Sequence, residues 1–147
     1  MNQHTITILG MLSLAGLLAA ESGAQLVVGI PFTFELADRS LPAGEYHVWM
    51  NPQGVVWIKH AGLKTTVSLV SHAAHGNGAP VFGLTFNRYD DRHFLSKIWM
   101  GSDAGQELSK SRAEHEQVRA RLVTNAKAPE TVTVPARRVQ PLHTLQD

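Results

Sequence analysis

The chain has 147 residues, with 13 Lys and Arg against 12 Asp and Glu, and it contains no cysteine. That length holds one domain rather than two full cores, and a net charge of +1 is too mild for the clustered basic face that nucleic-acid binding needs. Without cysteine there is neither a disulfide nor a thiol to carry a lipid anchor, so packing alone stabilises the fold.

Residues 1–24 carry no Lys or Arg and a single acid, Glu21. Ile6 to Ala20 is almost wholly apolar, too short to span a bilayer and of the length of a signal-peptide core. Ser22-Gly23-Ala24 follows with small side chains where a signal peptidase reads them. The segment predicts a secretory signal cleaved before Gln25, with cleavage after Ser22 or Ala20 as second choices; an uncleaved anchor is the alternative, disfavoured by the short span. The mature chain then has 13 basic and 11 acidic residues and no membrane span. It is placed in the periplasm or outside the cell.

From Leu26 to Met100 the apolar residues recur with period two, the mark of half-buried strands. Ile30, Phe32, Phe34 and Leu36 share one face; Tyr46, Val48 and Met50 another; then Val67 and Leu69, and Phe82, Leu84 and Phe86. Phe94, Ile98 and Met100 are expected on the face of Ser96, opposite Leu95 and Trp99. Leu41-Pro42-Ala43-Gly44 and Asn51-Pro52-Gln53-Gly54 supply β-turns, and Gly76-Asn77-Gly78 a further reversal. Pro31 cannot donate to a ladder and belongs at an edge or bulge. The expected fold is mainly β: an antiparallel meander of six or seven strands forming a small barrel or sandwich, with one C-terminal surface helix.

Ser111-Arg112-Ala113-Glu114 reads as a capping box opening that helix, which runs to about Val123 and has only a thin apolar side. Three prolines and little periodicity beyond Thr131–Val134 make the remainder a flexible tail, with an ordered strand over Thr131–Val134 as the alternative. The divisions are a signal peptide over 1–24, a β-rich domain over 25–106, a helix packed on it over 107–123, and a tail over 124–147.

Four stretches, Ile30–Phe34, Leu41–Tyr46, Arg88–Trp99 and Gly105–Glu114, resemble in order the pattern of a family of small exported bacterial β-rich proteins of unknown function. That pattern runs Ile-Pro-Phe-x-Phe, Leu-Pro-Ala-Gly-x-Tyr, Arg-Tyr-Gly-Asp-x-Tyr-Phe-Leu-x-x-Ile-Trp and Gly-x-Glu-Leu-Pro-Lys-Ser-x-x-Glu. Here Asp90 stands for the glycine, His93 for the second tyrosine and Ser109 for the proline. The resemblance implies export and a shared fold, and nothing about chemistry.

Among candidate sites, His72 and His75 stand three apart in a Gly-rich loop, with His60 upstream, but no third ligand of fixed geometry completes a metal site. Asp91, His93 and Ser96 supply triad residue types, yet residues 93 and 96 of a regular strand project to opposite faces. The dense charges of Arg88–His93 fit a polar hairpin tip in which they neutralise one another. Trp49, Trp57 and Trp99 lie opposite the main apolar rows; packing under the helix or on the inner face of a second sheet is the first reading, and as a platform for sugars or peptides they are the candidate ligand-binding residues. No catalytic residue, metal or cofactor is assigned. The reading is an exported non-enzymatic protein, a binding or structural module of the cell envelope with an envelope or small-molecule partner. Its alternative is a small-molecule carrier with a barrel cavity lined by Phe32, Phe34, Phe82, Phe86 and Phe94; a metal-dependent hydrolase ranks last.

Overall fold

The computed structural model describes residues 25–76, 82–101 and 104–139; the predicted signal segment and most of the Gly76-Asn77-Gly78 reversal lie outside them. Eleven strands and one helix form among the described residues, not the six or seven strands expected: β1 (Gln25–Ile30), β2 (Phe34–Leu36), β3 (Arg39–Leu41), β4 (Gly44–Met50), β5 (Val55–His60), β6 (Thr66–Ala74), β7 (Gly83–Tyr89), β8 (Arg92–Trp99), β9 (Gly105–Leu108), α1 (Arg112–Thr124), β10 (Glu130–Pro135) and β11 (Arg137–Val139). No described helix is long and apolar enough to cross a membrane.

The β4–β5 and β7–β8 hairpins form where the turn residues stand, whereas Leu41–Gly44 joins β3 and β4, which do not pair with each other. Between β4 and β5, Asn51 N and Oδ1 both bond Val55, while Gly54 takes φ 82° and donates to Asn51 O. A side chain at that φ would be strained, so glycine is required there. Between β7 and β8 a two-residue loop places Asp90 at φ 56°, the left-handed conformation that a glycine at this position would take freely. Pro31 does more than mark an edge: the first apolar run breaks there, and β1 and β2 pair with different neighbours.

Two meanders, β4-β5-β6 and β7-β8-β9, are spliced by pairing of β6 with β9, giving the order β10-β7-β8-β9-β6-β5-β4-β1-β11. The β2–β3 hairpin joins β8 through one parallel bridge, Glu35↔Phe94, so the sheet is mixed. It is open rather than a closed barrel, because among the described residues β10 pairs only with β7 and β11 only with β1. The two edges are nevertheless one residue apart in the chain, at Ala136, whose N–H donates to Phe82 O. Pro135 sits on the outer strand of its edge, where its missing donor leaves no ladder bond unmade. Stretches expected as tail are therefore the two edge strands, with Val134 buried against the core and Thr133 Oγ1 bonded to Thr85 Oγ1.

Curling brings inner residues of both halves into one core that includes Leu26, Val28, Val48, Ile58, Leu84 and Ile98. Phe34 packs edge-on to both Tyr46 and Phe86 at its centre. Phe94 is not part of it. A β-bulge shifts the β7–β8 register between Thr85↔Lys97 and Phe86↔Leu95, so Ser96 has no partner and the alternation of β8 reverses. Leu95 and Ile98 thus point into the core, while Phe94 and Trp99 bury on the outer side.

Candidate functional site

The outer face of the sheet carries two features built from functional side chains. The first follows from strand register. Val139, Gln25, Trp49, Trp57 and Ser68 align in one row across β11, β1, β4, β5 and β6, and Arg137, Val27, His47, Lys59 and Thr66 form the next. Their alternates Val48, Val56 and Ile58 are fully buried, which turns the tryptophans outward. Trp49 and Trp57 are half-buried, with ring centroids 6.2 Å apart and planes within 12°. Gln25 Nε2 donates to His47 Nδ1 at 3.1 Å, and the other ring nitrogen faces Glu45 Oε1 at 3.6 Å. Two near-parallel indoles on this outer face, bordered by amide, imidazole, hydroxyl and ammonium groups, can take ring-shaped apolar surfaces and hydrogen-bond their substituents.

Trp99 does not belong to this platform. It is buried, its Nε1 donates to Thr85 Oγ1 at 2.9 Å, and it pairs in register with Gly83 on one side and Gly105 on the other. A Cβ on Gly105 would lie 2.5 Å from its ring. Trp99 covers the glycines and is a packing residue. The structure therefore brings together two of the three predicted ligand-binding tryptophans.

The second feature lies under α1. Ser111 caps the helix, accepting from Glu114 N at 3.2 Å, and Asp38 Oδ1 accepts from Ala113 N across from the β2–β3 loop. The Glu114 side chain does not complete the capping box. It turns inward, 3% exposed, and its Oε1 accepts from Asn87 Nδ2 at 2.8 Å and Tyr89 Oη at 3.0 Å. Burial first, then the Glu114 charge and this hydrogen bond, push the Tyr89 hydroxyl up to about 12, against a smaller opposing pull from Arg121. Arg121 lies over the Tyr89 ring, with Nη2 on Asp90 Oδ1 at 3.0 Å and Nη1 donating to Lys127 O. Spacing alone gives Glu114 a capping role; its place beside Tyr89 depends on how α1 meets the β7–β8 hairpin.

The charges of the β7–β8 tip do not neutralise one another as expected. Arg92 pairs with Glu35 of β2, Asp90 with Arg121 of α1, and Arg88 with Glu130 of β10. His93 stacks on Phe32 with 3.8 Å between centroids, taking the aromatic place its position implies. Its Nδ1 is buried without a hydrogen-bond partner among the described residues, so no Asp–His–Ser relay forms. Burial, then the Arg88 charge, push its pKa down. His72 lies within β6 rather than in a loop, and His60 Nδ1 accepts from Gly62 N. Among the described residues no cluster of three His, Cys, Asp or Glu is placed to hold a metal ion. Of the five phenylalanines considered as a cavity lining, Phe34 and Phe86 fill the core and Phe94 lies outside it.

Comparison with family models, with curated proteins and with solved structures gives no match.

Proposed function

We propose that this chain is an exported, non-enzymatic binding module of the cell envelope, and that its Trp49–Trp57 face takes the sugar rings of an envelope glycan. The observation that carries this reading is the half-exposed, near-parallel tryptophan pair in the row from Gln25 to Ser68. Sugar rings present flat C–H surfaces that suit indole faces and equatorial hydroxyls that suit Gln25, His47, Lys59 and Ser68. Export rests on the pattern of residues 1–24, and the resemblance to small exported β-rich proteins supports it. In the same reading the two halves of the curled sheet are the layers of a sandwich joined through β6.

Sedimentation of the mature chain with insoluble peptidoglycan, chitin and cellulose tests the proposal. The wild-type chain is expected to pellet with at least one of these, and Trp49→Ala with Trp57→Ala to remain in the supernatant while keeping the wild-type circular dichroism spectrum. Absence of wild-type binding to all three, or unchanged binding by the folded double variant, overturns it.

A further inference from the structure

Helix α1 is attached to the sheet by polar contacts near its two ends, and Glu114 is its only buried residue. Between these anchors a cleft of about 430 Å³ opens against the outer face, within the size range of small-ligand pockets. Asn87 and Tyr89 line its sheet side, Val118 and Leu122 its helix side, and the segment through Ala126 and Pro129 closes it below. Leu122 and the neighbouring Val123 are 78% and 87% exposed, although both are large apolar side chains.

The charged residues of the lining have one sign. Lys110, Arg121 and Lys127 border the cleft, and among the described residues no Asp or Glu lines it. Arg121 is already paired with Asp90, and Lys127 lies 3.9 Å from Glu130 in a solvent-exposed pair that holds it weakly. Lys110 and Lys127 are therefore the cations available to a ligand. An apolar wall with ammonium groups at its rim complements an apolar body carrying a negative head, and repels the same body carrying a positive one.

We infer that this cleft is a second binding site, separate from the tryptophan face, and that its ligand is an acyl chain ending in a carboxylate. The chain lies along Val118, Leu122 and Pro129, and the carboxylate meets Lys127 or Lys110 at the rim.

Heteronuclear NMR titration of the mature chain with sodium decanoate tests the assignment, with sodium butyrate and decyltrimethylammonium as controls for chain length and charge. Decanoate is expected to shift the resonances of Tyr89, Leu122 and Ala126 saturably, and the two controls to leave them in place. Leu122→Asp alters only an exposed side chain, so the fold is expected to persist; it and the double variant Lys110→Glu with Lys127→Glu should each weaken decanoate binding at least about tenfold. No localised shift with decanoate overturns the inference. So do equal shifts with decyltrimethylammonium, or wild-type affinity in Leu122→Asp. None of these results touches the glycan reading, whose signals arise from Trp49 and Trp57 on another part of the sheet.

Discussion

Asp90 shows how one residue joins backbone strain to a long-range contact. At φ 56° an ordinary L-residue is disfavoured by roughly 1–2 kcal/mol, less for Asp because its short side chain bonds locally. Its carboxylate also partners Arg121, whose side chain is largely buried, and with Asp90 itself open to solvent the pair contributes about 0–1 kcal/mol. Glycine relieves the strain but loses the pair and gains unfolded-state entropy, so Asp90→Gly should stay within about 1 kcal/mol of wild type. Asp90→Asn keeps the tolerance for positive φ and isolates the ion pair, whereas Asp90→Val combines both losses and should be the worst of the three in denaturant melts. Valine tolerated as well as glycine would contradict the turn assignment. Tyr89 supplies a pH test of the buried cluster. Its pKa is raised from 10.0 to about 12, so its contribution to stability is complete below pH 10.0 and is lost as pH rises towards about 12. Tyr46, also raised by burial, loses stability in the alkaline direction too, and the informative quantity is the difference between wild type and Tyr89→Phe. Tyr89→Phe should cost about 1–3 kcal/mol at neutral pH, by removing a donor from a buried carboxylate. That gap should narrow in alkaline melts, and a constant gap would show that the hydroxyl does not titrate against Glu114.

At the scale of elements, the strand character and the β4–β5 and β7–β8 turns are legible because their signals are local, whereas the expected single meander of six or seven strands is in fact two meanders within an eleven-stranded mixed sheet. Gly54 and the Leu41–Gly44 turn stand where the period-two runs stop, and Ser111 caps α1 as its spacing implies. Three other features depend on what lies across the sheet. The bulge that sends Phe94 outward comes from the β7–β8 register, which no single-strand alternation reveals. Glu114 turns inward because Asn87 and Tyr89 await it on a strand distant in sequence. Thr131–Val134 alternates like a strand, but its short run and flanking prolines read equally as a terminus until β7 offers it an edge. Because Val134 is buried and both edge strands form after residue 125, a chain ending at Asn125 should melt lower by at least ~4–8 °C, the shift produced by about 1 kcal/mol in a domain of this size. Differential scanning calorimetry measures it, and an unchanged melting temperature would return β10 and β11 to the status of a dispensable tail.

For the whole molecule, curling divides the labour between two surfaces. The inner face spends its large side chains on one filled core, while the outer face presents the tryptophan pair on one half and supports α1 on the other. Strand alternation alone places all three tryptophans opposite the apolar rows, and the register separates them: Trp49 and Trp57 meet across β4 and β5, whereas Trp99 lies between two glycines. This separation provides an internal control, since the three indole N–H groups give three resolvable NMR signals. The central claim is most directly tested by following those signals in a chain beginning at Gln25 during titration with soluble peptidoglycan and chitin oligosaccharides. The account predicts that the Trp49 and Trp57 indole signals move together and saturate, while the Trp99 signal, locked on Thr85, stays in place. Three stationary signals with every oligosaccharide, or movement of Trp99 alone, would contradict it.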